Sequence, residues 1–114
     1  MAENVFDRIL AGAIPAARVW DDEQCIAIRD INPQAPVHIL VIPRRKIETV
    51  DDVAEGDKAL VGHMTWVAAE IARREGIADE GYRLVWNCRR HGGQEVTTIH
   101  LHLLGGRSMK WPPG

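Results

Sequence analysis

Apolar and polar positions along this chain repeat with two different periods. From Thr97 the residues alternate, with Ile99, Leu101 and Leu103 in one phase and Thr98, His100 and His102 in the other, until Gly105-Gly106 interrupts them. A period of two belongs to a strand, whose successive side chains point to opposite faces. The pattern therefore predicts a strand from Thr97 that sends the three aliphatic residues to a core and Thr98, His100 and His102 to the other face. Tyr82 to Asn87 alternates in the same way, and Arg18-Val19-Trp20 and Cys25 to Ile28 flank the polar Asp21 to Gln24 as a hairpin would. Val37 to Ile42 is almost continuously apolar and ends at Pro43, which predicts a central strand buried on both faces.

The second period is helical. Leu60, Met64, Val67 and Ile71 recur at spacings of four, three and four, predicting a helix from about Gly56 to Glu75. Asp52 and Glu55 would open it and Gly76 close it. A shorter helix is predicted over Val5 to Ala11, capped by Asn4 and ended by Gly12 and Pro15, with Val5, Phe6, Ile9 and Leu10 as its apolar stripe. Between these elements lie a proline-stiffened loop, Asp30 to Pro36, and a turn-rich polar loop, Cys88 to Glu95. The tail Trp111-Pro112-Pro113-Gly114 reads as an extended segment with one apolar anchor. Strands joined by hairpins and loops, with one long helix and one short one, define an α+β fold. The expected arrangement is a five-stranded antiparallel sheet with the long helix on one face.

Length and composition narrow this further. The 114 residues suit a single domain, 1–114, large enough for its own core. With 26% charged residues and a net charge of -2, the chain is not built to bind nucleic acid by bulk charge. It has no apolar run of membrane-spanning length and no signal-peptide pattern at Met1-Ala2-Glu3-Asn4. The two cysteines, Cys25 and Cys88, are expected as reduced thiols, so the cytoplasm is the expected compartment. Met64 and Trp66 read as packing residues, His63 as a solvated side chain, and Arg44-Arg45-Lys46 as a solvated strand exit.

The chemistry gathers around the histidines. Two imidazoles in phase on one strand, entered from a Gly92-Gly93-Gln94 loop, form a candidate reaction site. Glycines admit a ligand close to the backbone and can turn amides outward. Asn87 adds a side-chain amide and Glu95 leads into the strand. Exposed amides beside imidazoles suit a phosphate: one neutral imidazole can attack phosphorus while another handles the proton of the leaving group. A zinc held by His100, His102 and His38 is the competing reading, ranked below phosphate chemistry because no Cys-X-X-Cys pair or nearby acidic cluster accompanies it.

The stretch Gly92-Gly93-Gln94-Glu95-Val96, continued by Ile99-His100-Leu101-His102-Leu103-Leu104-Gly105-Gly106-Arg107, resembles the histidine triad (HIT) family, and within it the HINT branch. The likeness extends through Phe6, Ile14-Pro15-Ala16, Asp30 to Pro36, His38 to Pro43 and the final Trp-Pro-Pro-Gly. It implies a homodimer with a continuous ten-stranded sheet. It also implies cofactor- and metal-independent hydrolysis of purine nucleoside 5′-monophosphoramidates, or related acyl-nucleotides, through a nucleotidyl-histidine intermediate, with no nucleic-acid or membrane partner. By the same resemblance His100 is the nucleophile, His102 lies near the α-phosphate and leaving group, and His38 supports the nucleophile through a hydrogen-bond relay. Asn87, Gly93, Gln94 and Glu95 fall on the phosphate side and Asp30 on the ribose. Val5, Phe6, Ile9, Ile28, Arg29 and Ile31 would form the base pocket. Thr98 stands where the first histidine of the triad belongs, which leaves a weakened hydrolase as the expectation and a nucleotide sensor as the alternative.

Overall fold

The computed structural model describes residues 3–114. Its strands are β1 (Arg18–Asp21), β2 (Cys25–Arg29), β3 (Val37–Pro43), β4 (Tyr82–Trp86) and β5 (Leu101–Gly105). The helices are α1 (Val5–Leu10), α2 (Lys58–Arg74) and a single turn, α3 (Arg89–Gly92). The five strands form one antiparallel sheet in the order β1-β2-β3-β5-β4, so the last strand of the chain inserts between β3 and β4. The most apolar strand, β3, is central as its composition requires.

The two-residue period divides the core. Cys25, Ala27, Ile39, Val41, Leu101 and Leu103 face α2 and meet Leu60, Met64, Val67, Ala68 and Ile71. Ile26, Ile28, Leu40 and Ile42 face the other way and pack with Phe6 and Ile9 of α1. Full burial of one such aliphatic side chain stabilises by roughly 1.5–3 kcal/mol. The dense α2 face therefore carries most of the stability, and the α1 face has room for polar groups. Asn4 caps α1 as expected, in a reciprocal capping box with Asp7. Gly76 closes α2 with φ +74°, a left-handed conformation that favours glycine.

Three expectations are corrected: the start of the last strand, the opening of α2 and the state of His63. The last strand starts at Leu101, not Thr97. β4 ends at Trp86, opposite Leu101, and the chain upstream bends at Thr97–Thr98, where the Ile99 N–H donates to the Ile47 carbonyl at 2.8 Å. The opening of α2 is a 3₁₀ turn, Glu55–Asp57, whose Asp57 carboxylate accepts the Ala54 N–H; Asp52 instead accepts the Thr49 hydroxyl at 2.7 Å. The basic cluster is solvent-exposed at Arg44 and Arg45, as expected of a strand exit, and forms ion pairs: Arg44 with Asp21, Arg45 with Asp57 and Lys46 with Asp7. His63 is also engaged, its Nε2–H donating to Asp22 Oδ2 at 2.7 Å and its ring stacking on Trp66.

Candidate active site

The face of the sheet turned from α2 holds a cluster of imidazoles. Pairing sets Leu40 opposite His102 and His38 opposite Leu104, which makes His38 and His102 diagonal neighbours on one face. Their rings meet with His38 Nε2 2.9 Å from His102 Nδ1. The proton positions follow from the surrounding partners. His38 Nδ1 accepts the Gln34 N–H at 3.0 Å, so the ring proton of neutral His38 sits on Nε2 and is donated to His102 Nδ1. His102 must then carry its own proton on Nε2. That atom is buried and, among the described residues, has no hydrogen-bond partner. Asp30 Oδ2 lies 3.5 Å from His38 Nε2.

His100 has the opposite tautomer. Its Nδ1 lies 2.8 Å from the Thr98 carbonyl and must donate to it, which leaves a lone pair on Nε2. The ring packs edge-on to Phe6, with centroids 5.0 Å apart at 74°, and its centroid is 4.9 Å from that of His102. Burial favours the uncharged form of all three imidazoles. It is the leading cause of the lowered pKa of His38 and of His100, although Asp30 pulls both upward. His102 is brought down to about 4 by burial, reinforced by repulsion from His100 and His38. At neutral pH the cluster thus holds one imidazole lone pair and one N–H donor without a partner among the described residues.

The rings that carry them line a cavity of about 680 Å³, within the usual size range for a small-molecule site. Its lining includes His38, His100 and His102, with Val5, Phe6, Ile9, Ile28, Arg29, Asp30, Ile31, Asn87, Gly93 and Glu95 from the sequence-based assignment. The aliphatic end is built by α1 and β2; the polar end by β3, β5 and the β4–β5 connection. Ile31 is fully exposed at the cavity, an apolar surface left for a ligand to cover.

Three expectations on individual residues change. Thr98 does not line the cavity, because it precedes the strand and the two-residue period does not reach it. It is 1% exposed, and its hydroxyl accepts from Asn4 Nδ2 at 2.8 Å. Gln94 is likewise outside the lining: its amide bridges the Glu48 and Val96 carbonyls and the Arg89 N–H, bracing the loop. The glycine loop does not turn all its amides outward. The Gly93 and Gln94 N–H groups donate to the Arg90 and Arg89 carbonyls and close α3, with Gly93 at φ +76°. Arg29 borders the cavity, but its guanidinium is held in a bidentate pair by Glu75, at 2.8 and 3.0 Å.

Sequence reasoning left out Ile14, Pro15, Ala16, Asn32, Gln34, Leu40 and Val96, all of which line the cavity. Leu40 shares a strand phase with His38 and could have been found by parity. Ile14 to Ala16 directly follow the helix already assigned to the site. Asn32 and Gln34 gave no signal beyond their place in a stiff loop.

As for metals, Asp30, His38 and His102 offer ligand atoms all within 4.8 Å of one another, whereas His100 is not part of this group. A cation there would displace the proton shared by His38 and His102. Asp22, Cys25 and His63 form a second such group.

Fold and cavity together define a class: an antiparallel α+β protein in which imidazoles of opposite tautomer line one cleft of small-molecule size. The chain belongs to the HIT domain family, whose model matches residues 11–109. It is 52% identical over 107 residues to the purine nucleoside phosphoramidase of Escherichia coli, covering 94% of this chain and 90% of that one. Among solved structures, it superposes on a HIT family hydrolase from Legionella pneumophila with a TM-score of 0.96 and 49% identity, covering 98% of this chain and 100% of that one. A HIT family hydrolase from Clostridium thermocellum gives a TM-score of 0.92 and 41% identity, covering 96% of each chain.

Proposed function

We propose that this protein hydrolyses the P–N bond of purine nucleoside 5′-monophosphoramidates through a nucleotidyl intermediate on His100. The observation that carries the reading is the opposed pair of tautomers, a lone pair on His100 Nε2 and a proton on His102 Nε2, on neighbouring rings that line one cavity. The base enters the aliphatic end, among Val5, Phe6, Ile9, Ile28 and Ile31. Asp30 takes the ribose, and Asn87 and His102 donate to the α-phosphate. Glu95 and Gly93 border the phosphate. The purine preference and the substrate class are supported by the likeness to the E. coli phosphoramidase.

The reaction runs in two displacements. His100 Nε2 attacks the α-phosphorus with its lone pair, and the P–N bond breaks with its electrons on the departing nitrogen. The anionic phosphate raises the proton affinity of the adjacent His38–His102 pair, so the complex holds one proton more than the free protein. That proton goes to the nitrogen, and a neutral amine leaves. Water then attacks the phosphorus, its proton returns to the His38–His102 pair, and the P–Nε2 bond breaks to restore the His100 lone pair. The product is a nucleoside monophosphate. With Arg29 held by Glu75 and both Asp30 and Glu95 at the cavity, the site suits a singly charged phosphoramidate better than a dianionic product.

The working unit of this reading is a homodimer, supported by β4. It lies at one edge of the sheet, and every one of its residues is only half-buried. Incubation with adenosine 5′-phosphoramidate, followed by AMP release and intact-mass detection of an AMP adduct, tests the function. Adduct in the wild type and none in His100→Ala is the expected result. Binding of AMP without adduct or turnover would favour the sensor alternative, which rests on the incomplete triad. The position of Thr98 outside the cavity supports the hydrolase over the sensor.

A further inference from the structure

Asn4 uses all four hydrogen-bonding sites of its side-chain amide, in two directions. Oδ1 accepts the N–H groups of Phe6 and Asp7 at 3.0 and 3.1 Å, capping α1. Nδ2 donates to the Thr98 hydroxyl at 2.8 Å and to the Thr97 carbonyl at 3.3 Å, more than ninety residues away in the chain. Each direction ends on a support of His100. Phe6, fixed by the cap, packs edge-on to the imidazole. The Thr98 carbonyl takes the Nδ1 proton and so leaves the lone pair on Nε2. The segment from Thr97 to His100 lies outside the strand ladder, so its placement rests on local ties such as this one.

We propose that Asn4 is a positioning residue for His100, and that its bond to the Thr98 hydroxyl is what lets threonine stand at the first position of the triad without loosening the nucleophile. The imidazole needs two things from that position: a carbonyl at Nδ1 and a peptide that does not turn. A buried hydroxyl held by the Asn4 amide supplies the second, and the first does not depend on the side chain. Thr98 completes the network by donating to the Thr97 carbonyl at 2.9 Å, so no polar atom of the clamp is left without a partner. Lone-pair direction governs in-line attack, and a misplacement of about 1 Å can cost roughly a hundredfold in rate.

The inference rests on the hydrolase reading for its kinetic arm, and a second arm is independent of it. Asn4→Ser keeps a capping oxygen but is too short to reach Thr98. Thr98→Val keeps shape and loses the hydroxyl, and leaves the cap of α1 untouched should the shorter cap unfold that helix. Thr98→Ser keeps the hydroxyl. In single-turnover adduct formation from adenosine 5′-phosphoramidate, Asn4→Ser and Thr98→Val are each expected to fall about ten- to a hundredfold. AMP affinity should stay within about twofold, as expected for a loss confined to the chemical step. The double variant should be no slower than the slower single one, the sign that both act through one contact. Thr98→Ser should retain the wild-type rate.

The second arm is ¹⁵N NMR of the histidine rings in the free protein. His100 should show a single Nδ1–H tautomer in the wild type and in Thr98→Ser, and averaged ring signals in Asn4→Ser and Thr98→Val. If the wild type forms no adduct, the hydrolase reading fails and the ring signals still decide the clamp. Unchanged ring signals in both Asn4→Ser and Thr98→Val, losses that multiply in the double variant, or a Thr98→Ser protein as slow as Thr98→Val would overturn it.

Discussion

The protein contains two histidine-centred networks of similar size, one on each face of the sheet. In the cavity, buried His38 and His100 and half-buried His102 gather beside Asp30. At the β1–β2 turn, His63 meets Asp22, whose carboxylate also accepts from Trp20 Nε1 at 2.7 Å and from the Gln24 and Cys25 N–H groups at 2.7 and 2.8 Å. The difference lies in what is left over. Asp22 is surrounded by donors, and the Cys25 thiol beside it is pushed up to about 12 by burial and then by the Asp22 charge, so it stays protonated. The cavity network leaves a lone pair and an N–H with no partner among the described residues. A saturated network holds a turn in place; an unsaturated one can act on a ligand.

The sharpest break in this comparison is His100→Asn. It should lower turnover of adenosine 5′-phosphoramidate by at least ~10³-fold, since no second group carries the displacement. AMP binding, followed by calorimetry, should persist. A variant with turnover close to wild type would place the chemistry elsewhere.

Asp22→Ala tests the other network and should do the reverse. Removing the shared acceptor strands several donors at a partly exposed turn, a loss of about 2–3 kcal/mol in urea unfolding. Turnover per folded molecule should be unchanged, because the sheet separates Asp22 from the cavity and Asp22 is not in its lining. His63→Phe removes only one of the donors and should cost about 1 kcal/mol. A rate loss in either variant would mean that the two networks are coupled through the sheet.

The contrast also explains what could be read in the sequence. Period-two alternation put Ile99, Leu101 and Leu103 on the α2 face and His102 on the other, and the helical spacing from Leu60 to Ile71 located α2. The family resemblance, carried by near-contiguous residues around His100, led to thirteen residues that line the cavity. What failed were features set by distant contacts. Thr97–Thr98 has strand-like residues, but β4 ends opposite Leu101 and Asn4 holds the segment out of the ladder. His63 lies off the apolar stripe of α2 and looks solvated until β1 and β2 bring Asp22 to it. Gln94 sits in a motif associated with phosphate, yet its side chain serves the loop, because the nearby Glu48, Val96 and Arg89 backbone groups need partners. Periodicity describes which face a residue occupies and says little about who waits there.

Acid should separate the two networks by window. The cavity histidines have lowered pKa values, so the unfolded chain takes up their protons first, below its ordinary value near 6.5. Stability is therefore lost as pH falls from 6.5, and for His102 the loss continues to about 4. Allowing for its partial exposure, His102 alone should cost about 1–2 kcal/mol at pH 5. For Asp22, burial alone would raise the carboxyl, but the bonds from Trp20, Cys25 and His63 outweigh it and hold it far below the usual range. Its contribution is present above an unfolded value of about 3.9 and is lost only in stronger acid. Urea unfolding at pH 7 and pH 5 is the measurement. His102→Gln should flatten the difference between the two pH values, while Asp22→Ala should lower both by the same amount. The acid limb of kcat/KM should likewise fall below 6.5, because burial keeps the His100 lone pair free there. A limb at or above 6.5, or a pH 7-to-5 stability loss that survives His102→Gln intact, would mean that the cavity is wetter than its geometry indicates and that its unpaired nitrogens are not what sets it apart.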